Sequence, residues 1–122
     1  AELEAFARRA FAALGVEATV TRHHATSGNE AALRTALCAV EAGRAHVTVN
    51  VSLAPILGSP FGHHSPVGAY DEAADRVLVL DTFRQGWEPW WAPLALLWTA
   101  MTMVDPDAGE PRGWLVIQPP GV

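Results

Sequence analysis

Two residues of this 122-residue chain, His63 and Asp81, are placed to do chemistry if the segments that carry them fold back on one another. Residues 63–70 and 76–81 each read as a β-strand, with residues 71–75 turning between them, so an antiparallel hairpin is expected. Pairing Tyr70 with Arg76 sets Asp81 opposite Ser65, leaving His63 diagonal to Asp81 and within reach through a modest twist or bulge. A carboxylate so placed accepts a hydrogen bond from one imidazole nitrogen, fixes the tautomer and leaves the other nitrogen free to take a proton. That is a general base with its orienter, and it still needs a nucleophile. The alternative is an ordinary hairpin in which His63 caps one strand and Asp81 ends the other.

Other reactive residue types are sparse. Cys38 is the single cysteine, so no internal disulfide and no cysteine-rich zinc site can form. Its neighbours Leu37, Ala39 and Val40 place it on a helix as a small core residue rather than a nucleophile. The His23-His24 and His63-His64 pairs suggest metal ligation, but adjacent residues on a strand point to opposite faces, and each pair offers one ligand to any one site. No metal site is expected within the chain. Among the tryptophans, Trp98 and Trp114 fall on core-facing stripes, and Trp87, Trp90 and Trp91 are expected in a loop or groove.

The elements that must hold these residues follow from periodicity. Leu3, Phe6, Ala7, Ala10, Phe11 and Leu14 mark a helix over residues 2–14, stopped by Gly15. Val16, Ala18 and Val20 alternate with polar residues as a half-buried strand does. Ser27 to Glu30 forms a Ser-x-x-Glu capping box ahead of a helix carrying Leu33, Leu37 and Val40 to about Ala42. Val47, Val49 and Val51 define a second strand whose polar face carries Asn50. A loop with Pro55, Gly58, Ser59, Pro60 and Gly62 leads to the hairpin. Pro93 opens a helix with Leu94, Leu97, Trp98 and Met101 on one side. A polar turn over residues 105–112 precedes a last strand, 113–118. The order predicts an α+β fold with a mainly antiparallel sheet and flanking helices, while parallel βαβ winding stays open.

Composition narrows the function classes. Half the residues are hydrophobic, enough for one core, and the length is too short for two ordinary domains. With 13 acidic and 8 scattered basic residues, for a formal charge of −5, neither nucleic acid nor an anionic membrane surface is an expected partner. No apolar run approaches the roughly 20 residues of a membrane span. The chain opens on Ala1 with a helix under way, which points to a preceding segment.

The run Gly62-His63-His64-Ser65-Pro66-Val67-Gly68-Ala69-Tyr70, followed by Val77-Leu78-Val79-Leu80-Asp81, resembles the phytochelatin synthase signature GH-x-SP-[IV]-x-x-Y and LILD. The likeness continues through Arg84, Pro89, Trp91, Pro93-Leu94, Leu97-Trp98, Ala100-Met101 and Val104-Asp105 to Arg112-Gly113. The resemblance implies a papain-like thiol acyltransferase, a glutathione γ-glutamylcysteinyltransferase, of which residues 1–122 are the C-terminal lobe of the catalytic domain. In such an enzyme a cysteine attacks the γ-glutamylcysteinyl–glycine bond of glutathione, glycine leaves, and the thioester passes to another glutathione or to water. His63 would then be the general base and Asp81 its orienter in a Cys-His-Asp triad. Asn50 and Arg84 would bind substrate.

The family cysteine, in a context such as Cys-Gly-Leu-Ala, has no counterpart here. The resemblance therefore implies a missing cysteine-bearing lobe, inactivity of the isolated chain, and apolar surface that drives self-association, with a homodimer as one form. It also implies glutathione or its metal thiolate as partner, heavy-metal ions such as cadmium as activators rather than a cofactor held by this chain, and a cytoplasmic location. Leu53, where the family often has a basic residue, and Gln85-Gly86-Trp87-Glu88 depart from the pattern and point to a shifted substrate preference. Two rivals stand beside this reading: a non-catalytic papain-like binding domain, and a peptidase or amidase of the same clan.

Overall fold

The structure, a computed structural model, describes residues 1–82 and 88–121. Its elements are α1 (Glu2–Leu14), β1 (Thr19–His24), α2 (Glu30–Glu41), β2 (His46–Ser52), α3 (Ala54–Leu57), β3 (Gly62–Asp71), β4 (Arg76–Val79), β5 (Trp90–Pro93), α4 (Leu94–Thr102), β6 (Val104–Asp105), β7 (Glu110–Pro111) and β8 (Gly113–Gln118). Six strands form one sheet in the order β1-β8-β2-β3-β4-β5. Every pairing in it is antiparallel, so the fold is α+β with flanking helices and the parallel alternative falls away. The short β6 and β7 pair as a separate hairpin.

One face of the sheet makes the core. Val47, Val49 and Val51 of β2, Val67 and Tyr70 of β3, and Val77 and Val79 of β4 are buried there. They meet Leu33 and Leu37 of α2 and Leu94, Leu97 and Met101 of α4, all at 0–1 % exposure. Period-2 alternation on the strands and period-3.6 stripes on the helices bring these apolar residues to one layer. By contrast α1 buries none of its residues, and it is tied to β1 mainly by polar links from Glu4 to Arg22 and from Arg8 to the Val20 carbonyl. Gly15 ends it in the left-handed region at φ 66°, as its position after the apolar stripe led one to expect.

Several local expectations are corrected. The first strand runs from Thr19 to His24 rather than from Val16, because its register is set by β8, from Thr19 opposite Gln118 to His24 opposite Gly113. No capping box forms at α2. Asn29 is the N-cap and makes no side-chain cap bond; its amide instead donates to the His24 carbonyl at 3.0 Å and the Thr26 hydroxyl at 3.3 Å, bracing the link from β1. The loop after β2 contains the short α3, which Gly58 closes at φ 72°. Trp90 and Trp91, expected in a loop or groove, and Pro93, expected to open a helix, form β5 with Ala92 against β4. Four consecutive residues with two tryptophans, an alanine and a proline show no clear alternation, so period alone could not reveal that strand.

The central hairpin departs by one residue at its turn. Tyr70 pairs with Val77, and Arg76 pairs with Asp71. The loop spans four residues, with Asp75 at φ 53° and its backbone N–H bonded to the Glu72 carbonyl. A bulge at Gly68 then absorbs one residue of β3, so that Val67 faces Val79. A Cβ on Gly68 would lie 2.8 Å from the Leu80 side chain, which is why glycine occupies the bulge. Beyond it the ladder continues with the Leu80 N–H on the Pro66 carbonyl at 2.9 Å. That restores the alignment of Asp81 with Ser65.

Candidate active site

His63 and Asp81 meet at the open end of this hairpin. The imidazole Nε2 lies 2.8 Å from Asp81 Oδ1. The Asp81 side chain is 2 % exposed and that of His63 is 19 % exposed. Low accessibility strengthens the charge-assisted contact, because little water competes for the carboxylate. With Nε2 engaged by Asp81, Nδ1 is the nitrogen left to exchange a proton. The other carboxylate oxygen, Oδ2, accepts a hydrogen bond from the Trp90 indole Nε1 at 3.2 Å. Next along the chain, the Thr82 hydroxyl donates to the His64 carbonyl at 2.8 Å, holding the segment after Asp81 onto β3.

Asn50 is placed elsewhere. It pairs with His64, while His63 pairs with Val51. Alternation puts Asn50 on the sheet face opposite the His63 imidazole. There it lines a cleft together with His64, Arg22, His24, Thr48 and Arg112. Burial, and then the neighbouring His63, push the His64 imidazole below its ordinary pKa. Arg84 lies outside the described residues.

Arg112 is the feature of this cleft that residue spacing did not reveal. It is 6 % exposed, the one buried basic residue among the described residues. Its Nη1 donates to the Met103 and Val104 carbonyls, each at 3.1 Å. Among the described residues its Nε and Nη2 have no hydrogen-bond or ion-pair partner, and this edge lies against Gly62, where a Cβ would come 3.2 Å from Nη2. A guanidinium held by one nitrogen with its other edge toward a cleft suits a carboxylate. The signal for it was its place at the end of the family likeness, just before Gly113.

Cys38 is remote from the pair. Its Sγ contacts Glu72 Oε2 at 3.5 Å, at the turn end of the hairpin, whereas His63 sits at the other end of β3. Nine residues of extended chain separate the two ends, roughly 30 Å. Burial first, then Glu72, raise the thiol's pKa, the reverse of an activated cysteine. Two of the other histidines are engaged: His23 stacks on Trp114 with centroids 5.0 Å apart, and His24 bonds the Pro111 carbonyl at 2.9 Å. Among the described residues no group of three or more His, Cys, Asp or Glu side chains could hold a metal ion.

A buried carboxylate on an imidazole can serve as a base with its orienter, and the cysteine of this chain is remote from it. The sequence pattern of the phytochelatin synthase family matches residues 2–114, and the chain belongs to that family. It is similar to the glutathione γ-glutamylcysteinyltransferase 3 of Lotus japonicus, with 39% identity over 72 residues, 59% of this chain and 15% of that protein. The glutathione γ-glutamylcysteinyltransferase 1 of Arabidopsis thaliana is 44% identical over 59 residues, 48% of this chain and 12% of its own length. The Schizosaccharomyces pombe glutathione γ-glutamylcysteinyltransferase is 36% identical over 58 residues, 48% of this chain and 14% of its own. The matched segment thus spans about one-seventh or less of these relatives.

Proposed function

We propose that this chain supplies the general base and its orienter to a papain-like thiol acyltransferase that acts on glutathione. The observation that carries the reading is the 2.8 Å contact between His63 Nε2 and the buried carboxylate of Asp81. The nucleophile is a cysteine outside residues 1–122, since Cys38 lies at the far end of β3. His63 Nδ1 takes the thiol proton, and Asp81 stabilises the imidazolium that results. The thiolate attacks the carbonyl carbon of the cysteinyl–glycine peptide bond. As the C–N bond breaks, His63 returns the proton to the departing glycine amine and a γ-glutamylcysteinyl thioester remains. The amine of a second glutathione, or water, then attacks the thioester, His63 accepts its proton, and the thiol is restored.

Binding on this reading uses the cleft of Asn50 and Arg112. The free guanidinium edge abuts Gly62, the residue before His63. Asn50 lies across the sheet from the His63 imidazole, so a substrate tail held in the cleft has to pass round the end of β3 at Gly62 to bring its scissile bond to the base. Glutathione carries two carboxylates, which fits a buried cation that has no acidic partner among the described residues.

The test is intact-mass spectrometry of the full natural polypeptide after brief exposure to glutathione, with assay of free glycine. A γ-glutamylcysteinyl adduct on a cysteine outside this segment, abolished in His63→Ala, is the expected result. No adduct and no glycine would overturn the glutathione reading. Cleavage of peptides or amides with glutathione spared would assign the site to a peptidase or amidase instead.

A further inference from the structure

The hydrogen bond to the second oxygen of Asp81 comes from a residue that neither the triad nor the substrate cleft uses. Trp90 lies on β5 opposite Val79 of β4, and both face the core side of the sheet. Asp81 is two residues beyond Val79 and so projects to the same side. His63 reaches the carboxylate from β3 and Trp90 reaches it from β5. Asp81 itself lies two residues beyond Val79, the last residue of β4, just past the Leu80 N–H bond to the Pro66 carbonyl. An Asp carboxylate turns about χ2 in a broad well, and each directional donor that reaches it narrows that well. A donor carried on a rigid, packed ring narrows it strongly. Trp90 is suited to this because its indole body packs against the core and its one N–H must find an acceptor when buried.

We propose that Trp90 is a positioning residue: its indole N–H locks the Asp81 carboxylate in the rotamer that holds His63 with Nε2 protonated and Nδ1 open to the nucleophile. The proposal rests on the acyltransferase reading for its kinetic consequence, but its structural consequence does not depend on the substrate. Trp91 supplies the internal control, since it is the adjacent residue of β5, projects to the other face and is 47% exposed.

The test compares wild type, Trp90→Phe and Trp91→Phe in the full natural polypeptide. In Trp90→Phe the ¹⁵N shifts of the neutral His63 ring move from a single Nε2–H tautomer toward a mixture, and kcat for glycine release falls about tenfold with KM within about twofold. Trp91→Phe changes neither. His64, next along β3 and electrostatically coupled to His63, is kept in all three proteins so that its charge is common to them. An unchanged tautomer in Trp90→Phe, or undiminished kcat where the wild type is active, overturns the proposal. If the wild type releases no glycine but the tautomer still shifts, the glutathione reading falls and the positioning role stands. Should Trp90→Phe fail to fold, Asp81→Ala decides. It moves the Trp90 indole N–H resonance and leaves that of Trp91 in place, and an unmoved Trp90 resonance counts against the bond.

Discussion

His63 and Asp81 face each other as hairpin spacing had indicated, and their consequences are testable one residue at a time. Replacing His63 by Ala in the full polypeptide is expected to lower glycine release by about 10²–10⁴-fold, the usual worth of a general acid–base group. Asp81→Asn, which keeps the shape and removes the charge, is expected to cost about 10²-fold or more in kcat. Circular dichroism should show both variants folded, and full activity in either removes that residue from the mechanism. Cys38→Ser is expected to leave turnover unchanged, because the thiol sits at the opposite end of β3 with a raised pKa. Arg112 shows why residue-by-residue reading fell short. An arginine in a polar turn looks like a solvated charge, and only the approach of Gly62, at the start of β3, and of the Met103 and Val104 carbonyls makes it a buried cation.

At the scale of elements, strand register is the quantity that matters and the one that side chains specify least directly. Gly113 lies where β8 passes β1, and a Cβ there would stand 1.8 Å from the His23 carbonyl oxygen. Gly113→Ala must therefore push β1 off β8. We expect a loss at or above the upper end of the ~0.5–3 kcal/mol range of single substitutions, read as a lowered urea midpoint. The hairpin turn is fastened to α2 by Arg34 Nη2, which donates to Asp75 Oδ2 at 2.9 Å, and is braced within the hairpin by Tyr70 Oη, which donates to Asp75 Oδ1 at 2.7 Å. Arg34, and then Tyr70, hold the Asp75 carboxyl below its usual pKa. Burial, and then Asp75, push Tyr70 up to about 12.

The signs of these two shifts differ. Asp75 contributes stability above the ordinary aspartate pKa of about 3.9, and the contribution is lost as pH falls through its lower folded value. Tyr70 contributes in full below about 10 and loses its contribution as pH rises toward its folded value. Melting temperature measured against pH should fall more steeply above pH 10 in wild type than in Tyr70→Phe. The acid effect of Asp75 should be modest, because the Arg34 and Asp75 side chains are 41% and 43% exposed and solvent screens them.

For the whole molecule, one core layer between the sheet and the two helices α2 and α4 carries the stability. Leu97, at 1 % exposure, is central to it, and Leu97→Ala is expected to cost about 2–5 kcal/mol in chemical denaturation. Outside the core, Phe6, Leu14 and Phe61 are 61%, 74% and 70% exposed. Residues 1–122 alone are therefore expected to self-associate. Sedimentation velocity at rising concentration checks this, and a monodisperse monomer throughout would remove it. No described helix is long and apolar enough to cross a membrane.

The sequence by itself determined the types of the longer elements, the stop at Gly15, the core stripes of α2 and α4, and the closeness of His63 to Asp81. All of these follow from local periodicity, from turn residues, or from two strands joined by one short turn. Only the tertiary structure decided the bulge at Gly68, the strand formed by residues 90–93, the opposite faces of Asn50 and His63, and the second partner of Asp81. Those depend on which strands lie side by side. Strand neighbours are chosen by burial of the whole sheet and not by any segment's own pattern.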